Sequence, residues 1–270
     1  ENAVRMINSN LDMNITKYVC VDWKALVDVI DALGGLDLDL TKEEVHWVNG
    51  YITETANSIG YPCDALKGEG RVHLNGVQAV SYSRIRYTSG DDFLRASRQR
   101  IVLQAILEKC KGEDIATLTS MCSSMMDDIS TNFTVKEILA LAKNVTKYQI
   151  SSTTGFPYNV ATKELSGVGD TVIPIDLATD VVQLHKYLFE DESYTVSDTV
   201  QSISDTVQKK TDVDSKTDIY DTTKYNNTAG STGTEGAEKK NKDAQDALKK
   251  SQSESENDST TKSSSDDSDD

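Results

Sequence analysis

The sequence predicts an α/β fold: one layered domain with a central mixed sheet flanked by helices, followed by a disordered acidic tail. Three observations carry this prediction. Apolar residues are concentrated between the first residue and about Phe189, and stretches of period-two and period-3.6 hydrophobicity alternate along that span. Beyond Tyr225, only alanines and Leu248 interrupt a polar tract that ends "SQSESENDSTTKSSSDDSDD". With 270 residues, 37% of them hydrophobic, the chain can build a core because the apolar material is gathered in one part.

The elements follow in order. "KYVCVDW" reads as a buried strand. "WKALVDVIDALGG" places Leu26, Val27, Ile30 and Leu33 on one helical face and stops at Gly34-Gly35. "LDLDL" alternates as a half-exposed strand does, and a helix is expected from Lys42 to about Ser58. A loop containing Gly60, Pro62, Gly68 and Gly70 comes next, with "GEG" and "NGV" read as turn glycines. "LNGVQAVSYSRIRY" fits a helix through Val77, Val80 and Arg84, and a strand through Val80, Tyr82, Arg84 and Arg86. A helix that unwinds near Ser83 is the favoured reading. Further helices are expected from Asp92 to about Lys111, from Phe133 to Lys147 and over "LATDVVQLHKYLF", with strands at "YQISS" and "DTVIPID". From about 195 the chain is expected to be mostly disordered, because too few apolar residues remain to offset the entropy of ordering. "YTVSDTVQSISDTVQKK" is expected to add one or two amphipathic helical turns.

The net charge is −16, and much of it lies in the tail, where it says little about a site. It argues against nucleic-acid binding, which needs a basic face. No run of about 18 apolar residues is present and no signal peptide is visible. The chain opens on Glu1 in helix-like sequence without a start signal, which reads as an N-terminal truncation. Cys20, Cys63, Cys110 and Cys122 lack CxxC spacing. Their even number permits disulfides, with Cys110 and Cys122 the closest pair, and buried free thiols are an equal alternative. His46, His73 and His185 are scattered and read as structural, as do the two aspartates of "LDLDL".

The chemistry-bearing stretch is "SGDDFLRASRQR". With Asp92 as N-cap, Arg95, Arg98 and Gln99 fall on one face of the first two turns. Like charges so spaced repel, and cations near a helix N-terminus oppose its dipole, so an anion is needed to compensate. Arg84 and Arg86 lie a few residues earlier. Converging guanidinium forks and exposed N–H groups are the usual equipment for holding a phosphate or pyrophosphate. The alternative is a capped surface helix in which Asp91 and Asp92 pair with Arg95 and Arg98.

The run "LNGVQAVSYSRIRYTSGDDFLRASRQRIVLQAI" resembles the signature of the LytR-CpsA-Psr family, with an LNGxQA opening, an RxR pair and a DFxRxxRQ helix. "VDWKALVDVIDALGGLDLDL" resembles the strand, helix and DALGG turn of that family. The stretch from "TVIPID" onward resembles the segment that closes its domain, so the resemblance covers about 1–210 and leaves 211–270 as the tail. The resemblance implies a phosphotransferase on the extracytoplasmic face of the bacterial cell membrane. Such an enzyme moves a glycopolymer from a polyprenyl-pyrophosphate carrier to peptidoglycan or another envelope acceptor. It implies that Arg84, Arg86, Arg95, Arg98 and Gln99 bind the pyrophosphate and that Asp92 helps activate the acceptor hydroxyl. It also implies Mg2+ or Mn2+ held by aspartates upstream of Glu1, together with a membrane helix and a PRD arginine there, so this chain alone is expected to be inactive. A non-catalytic binder of lipid-linked glycans and an envelope-related transcription attenuator are the alternative functions.

Overall fold

The computed structural model describes residues 2–86, 91–214, 216–217 and 220–222. Its elements run α1 (Asn2–Leu11), β1 (Val19–Val21), α2 (Trp23–Ala32), β2 (Leu36–Leu40), α3 (Lys42–Ile59), β3 (Gly70–Leu74), α4 (Gly76–Arg84) and α5 (Asp91–Gly112). They continue with α6 (Ile115–Ser124), β4 (Ile129–Thr131), α7 (Val135–Ala142), β5 (Asn159–Leu165), β6 (Gly169–Pro174), α8 (Leu177–Phe189), α9 (Asp198–Thr211) and β7 (Tyr220–Asp221). The α/β class stands. Where the sequence predicts one central mixed sheet, the described strands form three small antiparallel sheets: β1 with β4, β2 with β3, and β6-β5-β7.

Contacts divide the chain into two compact units. Of the described residues, one contains those within 22–128 and 142–153, and the other those within 2–21, 129–141 and 154–222. The first is built around α4, whose residues from Gly76 to Ser83 are all buried. Val27 and Ile30 of α2, the three leucines of β2, Val48 and Ile52 of α3, and Val102 of α5 close around it. Each such side chain removed from water stabilises the fold by about 1.5–3 kcal/mol before the entropy of ordering is set against it. The polar residues of α4 are satisfied internally. Ser81 Oγ donates to the Val77 carbonyl at 2.7 Å, Ser83 Oγ to that of Val80 at 2.7 Å, and Gln78 Nε2 to that of Asp64 at 3.0 Å.

Local chemistry explains the boundaries. Asp22 caps α2 by accepting from the Ala25 N–H, and the helix ends in a Schellman arrangement, with Gly34 N–H on the Asp31 carbonyl and Gly35 N–H on that of Ile30. Gly34 and Gly35 take φ of +74° and +82°, which glycine adopts without strain. A capping box between Thr41 and Glu44 starts α3. Along β2 the leucines are buried and Asp37 and Asp39 half-buried; the aspartates face His73 at 2.9 Å and Arg71 at 3.2 Å on β3. This is the strand face expected of "LDLDL".

Several expectations are corrected. β1 is a strand but not a buried one: it pairs with β4 in a two-stranded ribbon, and Val19, Cys20 and Val21 are all exposed. "YQISS" forms no strand, since alternation alone does not supply a hydrogen-bonded partner. The helix expected over Phe133 to Lys147 is shorter, α7 followed by a 3-10 turn at Val145–Lys147. All four cysteines are free thiols; Cys20 is exposed, and burial pushes the thiols of Cys63, Cys110 and Cys122 up.

In the second unit, α8 and α9 pack through Leu177, Val181 and Val200, and α9 is a full helix capped by Ser197. Folded structure passes the expected boundary at 211, because Val213 is buried with Ala161, Ile173 and Ile175, and β7 pairs with β5. The rest of the expected tail, from 223 onward, lies outside the described residues. Asp12, at φ +49°, ties α1 to the start of α9, accepting from Tyr194 Oη at 2.6 Å and from Ser197 N at 2.7 Å.

Asp180 on α8 is only 2% exposed, and burial pushes its carboxyl up to about 7; backbone N–H groups of Tyr158 and Asn159 offset part of this and the Asp176 charge adds to it. The ordinary value is 3.8. A carboxyl raised in the folded state favours unfolding increasingly as pH rises from the unfolded value to the folded one, and by a constant amount above it. The advantage of Asp180→Asn over the parent is therefore expected to grow between about pH 4 and pH 7 and then level off. Thermal unfolding of both proteins across that range measures it, and a pH-independent difference would contradict the assignment.

Candidate functional site

The site predicted from sequence lies in the first unit, where α4 ends and α5 begins. α4 stops at Arg84 because Ile85 turns extended, with φ −54° and ψ 125°. That turn aims Arg84 at α3 and α2. Its guanidinium carbon stands 3.7 Å from the centre of the Trp23 ring and 5.4 Å from that of Tyr51. Nη1 donates to Thr55 Oγ1 at 2.7 Å, and Nη2 meets Glu54 Oε1 at 2.8 Å. Thr55 is fully buried; its Oγ1 also lies 3.1 Å from Ser81 Oγ and donates to the Tyr51 carbonyl at 2.9 Å. Arg84 is thus held flat, oriented and 14% exposed in its side chain. A cation on an aromatic face gains about 0.5–2 kcal/mol and loses rotational freedom.

Arg98 is placed differently from its sequence expectation. It is 0% exposed, with Nε donating to Glu44 Oε1 at 3.0 Å and Nη1 at the long distance of 3.5 Å from the Ile85 carbonyl. Glu44 is 4% exposed, and its other oxygen accepts from Thr41 in the capping box. In this structure the side chain lies beneath the surface, with its Nε committed to Glu44. Arg98 fixes the start of α3 and the Ile85 turn against α5, and through that turn it positions Arg84 and Arg86.

Arg86 is exposed, Arg95 half-buried and Gln99 exposed. Asp92 falls in the first turn of α5, which starts one residue before the expected cap; the "YTSG" connection and the Asp91 and Asp92 side chains lie outside what is described. The structure therefore joins Arg84, Arg86 and Arg98 through one turn. Sequence reasoning missed Trp23, Tyr51, Glu54, Thr55 and Glu44. Only Glu44 had a local signal, the T-x-x-E pattern of "TKEE".

The family resemblance implies a divalent cation. Among the described residues, no three His, Cys, Asp or Glu side chains converge to hold a metal ion, so they do not supply that centre. Asp28 and Asp128 flank Lys24 at 2.8 and 3.1 Å. No described helix is long and apolar enough to cross a membrane.

Comparison with known proteins gives the family and the fold. The model of the LytR_cpsA_psr family matches residues 1–181. The chain is 27% identical over 143 residues to polyisoprenyl-teichoic acid–peptidoglycan teichoic acid transferase TagV of Bacillus subtilis, covering 52% of this chain and 34% of TagV. It is 30% identical over 146 residues to the TagU transferase of Bacillus mycoides, covering 53% of this chain and 42% of TagU. The chain thus spans well under half the length of the curated relatives it matches. Among solved structures, TagT bound to LIIa-WTA shares the fold, with a TM-score of 0.50 at 22% identity over 71% of this chain and 67% of TagT.

Proposed function

The chain belongs to the LytR_cpsA_psr family, and we propose that the protein transfers a glycopolymer from a polyprenyl-pyrophosphate carrier to peptidoglycan or another envelope acceptor, forming a phosphodiester. The observation that carries this reading is the seat of Arg84. A guanidinium stacked on Trp23 and anchored by a buried hydroxyl is oriented before any ligand arrives, beside the exposed Arg86. Diphosphate oxygens accept charge-assisted hydrogen bonds from such forks, and holding them fixes the phosphorus for in-line attack. The names of TagV and TagU, teichoic acid transferases acting between a polyisoprenyl carrier and peptidoglycan, support the same chemistry.

In this reading Arg84, Arg86 and Arg95 contact the diphosphate, Gln99 flanks it on α5, and Arg98 acts through what it positions. Asp92 stands near the acceptor hydroxyl and takes up its proton. The reading includes Mg2+ or Mn2+, which would offset negative charge on the diphosphate, and a membrane-anchored protein on the extracytoplasmic face; transfer abolished by a chelator and restored by Mg2+ checks the cation.

Arg84→Ala, Arg86→Ala and Arg95→Ala are each expected to weaken binding of a polyprenyl-pyrophosphate analogue by roughly tenfold to a hundredfold, since each loses charge-assisted bonds worth about 1.5–3 kcal/mol. Titration calorimetry decides it. Unchanged affinity in all three variants would remove the basis of the reading.

A further inference from the structure

Arg84 has two polar partners of opposite character. Thr55 is neutral, fully buried and locked by Ser81 and the Tyr51 carbonyl, so it cannot leave the guanidinium without disturbing α3 and α4. Glu54, its neighbour on α3, is charged, and its side chain is 62% exposed. It can swing into water by rotation about its own side-chain bonds, with no movement of the helix. An ion pair between one buried partner and one so exposed is weak, because water and salt compete for the carboxylate. Yet at 2.8 Å from Nη2 its oxygen occupies a guanidinium donor that a phosphate oxygen could otherwise take.

We propose that Glu54 is a resident competitor at Arg84: its carboxylate neutralises and orients the guanidinium in the empty site and is displaced when a diphosphate binds. The proposal rests on reading Arg84 as a diphosphate ligand and adds the regulation of that site. Displacing a carboxylate from an arginine favours a ligand that returns more charge than it removes. A diphosphate, engaging the exposed Arg86 as well as Arg84, meets that condition, whereas a singly charged anion only replaces one weak pair by another. Glu54 therefore raises selectivity for polyanions at the expense of affinity.

The test is calorimetric titration of the chain with inorganic pyrophosphate in a chelator-containing buffer, so that no cation bridges carboxylate and phosphate. Four proteins are compared: the parent, Glu54→Gln, Arg84→Ala and the double variant. Glutamine keeps the size of the side chain and removes its charge at an exposed position, so the fold is preserved. Glu54→Gln is expected to bind about two- to fivefold tighter than the parent, the range an exposed ion pair allows, and this gain is expected to vanish when Arg84 is alanine. Equal or weaker binding by Glu54→Gln, with Arg84→Ala weakened, overturns the competitor and leaves the reading of Arg84 standing. Arg84→Ala binding as the parent does, or no binding by any of the four, overturns both.

Discussion

Replacing Arg98 by alanine is expected to destabilise the fold by about 3–5 kcal/mol, because it leaves the Glu44 carboxylate buried without its cation. The pair is fully enclosed, at 0% and 5% side-chain exposure, so neither water nor salt takes over when one member is removed. Glu44→Gln is the informative partner, since glutamine preserves the capping box with Thr41 while removing the charge. Arg98→Met alone should be strongly destabilising, and adding Glu44→Gln should recover much of the loss, because two neutral groups no longer carry the desolvation of an unpaired ion. Urea unfolding of the parent, Arg98→Met, Glu44→Gln and the double variant measures the cycle, with Arg98→Ala run beside them. A loss below about 1 kcal/mol in Arg98→Ala would mean that the guanidinium leaves the pair readily, and Arg98 would return to the surface role that the sequence implies.

Arg98 also shows how far the sequence is legible. The spacing of Arg95, Arg98 and Gln99 correctly puts them near one another on a helix, but it does not say which way that face points. Leu94, Ser97, Arg98 and Val102, at spacings of three and four, are the buried stripe of α5. The arginine interrupts an apolar pattern, and its partner lies 54 residues earlier on α3. No local rule reaches that far. Strong local patterns were readable: the Leu26, Val27 and Ile30 stripe with its Gly34-Gly35 stop, the alternating "LDLDL", and the unwinding of α4 one residue past Ser83.

Weakly patterned elements were not. β3 begins at a positive-φ glycine and puts Arg71 and His73 outward, so it reads as loop until its pairing with β2 is known. β5 buries the adjacent Val160 and Ala161, which breaks the period-two signal. α9 has a moderate apolar stripe in a polar sequence, and its order comes from packing on α8 and from the tie to Asp12, neither of which composition records.

Gly76→Ala is expected to be a strongly damaging single-methyl change in the first unit. "NGV" reads as a turn, yet Gly76 opens α4 without a positive φ, so conformational freedom is not what the position requires. Closeness is. A Cβ built there would collide with the Val27 carbonyl oxygen and come within 2.8 Å of the Val27 Cα. The obstacle is backbone, which cannot rotate away as a side chain can, and α2 is itself fixed by its cap and by Val27 and Ile30 in the core. Relief would require α4 to back away from α2, stretching the 2.6 Å bond from Gly76 N–H to Asp31 Oδ1 and opening the packing around Val77 and Val80. Overpacking of this kind costs about 1–3 kcal/mol, and the upper end applies because both elements are held. Because Arg84 sits at the far end of the same helix, the shift should also misplace its guanidinium over Trp23. Two measurements follow: the unfolding midpoint, expected to fall by several degrees, and diphosphate binding under conditions where the variant is folded, expected to weaken. Gly50→Ala, in α3 where a Cβ meets nothing within 4 Å, is the matched control; it should leave binding nearly unchanged and raise the midpoint slightly, since alanine is the better helix former. If Gly76→Ala behaves like that control, α2 and α4 do not approach as closely as the structure has them.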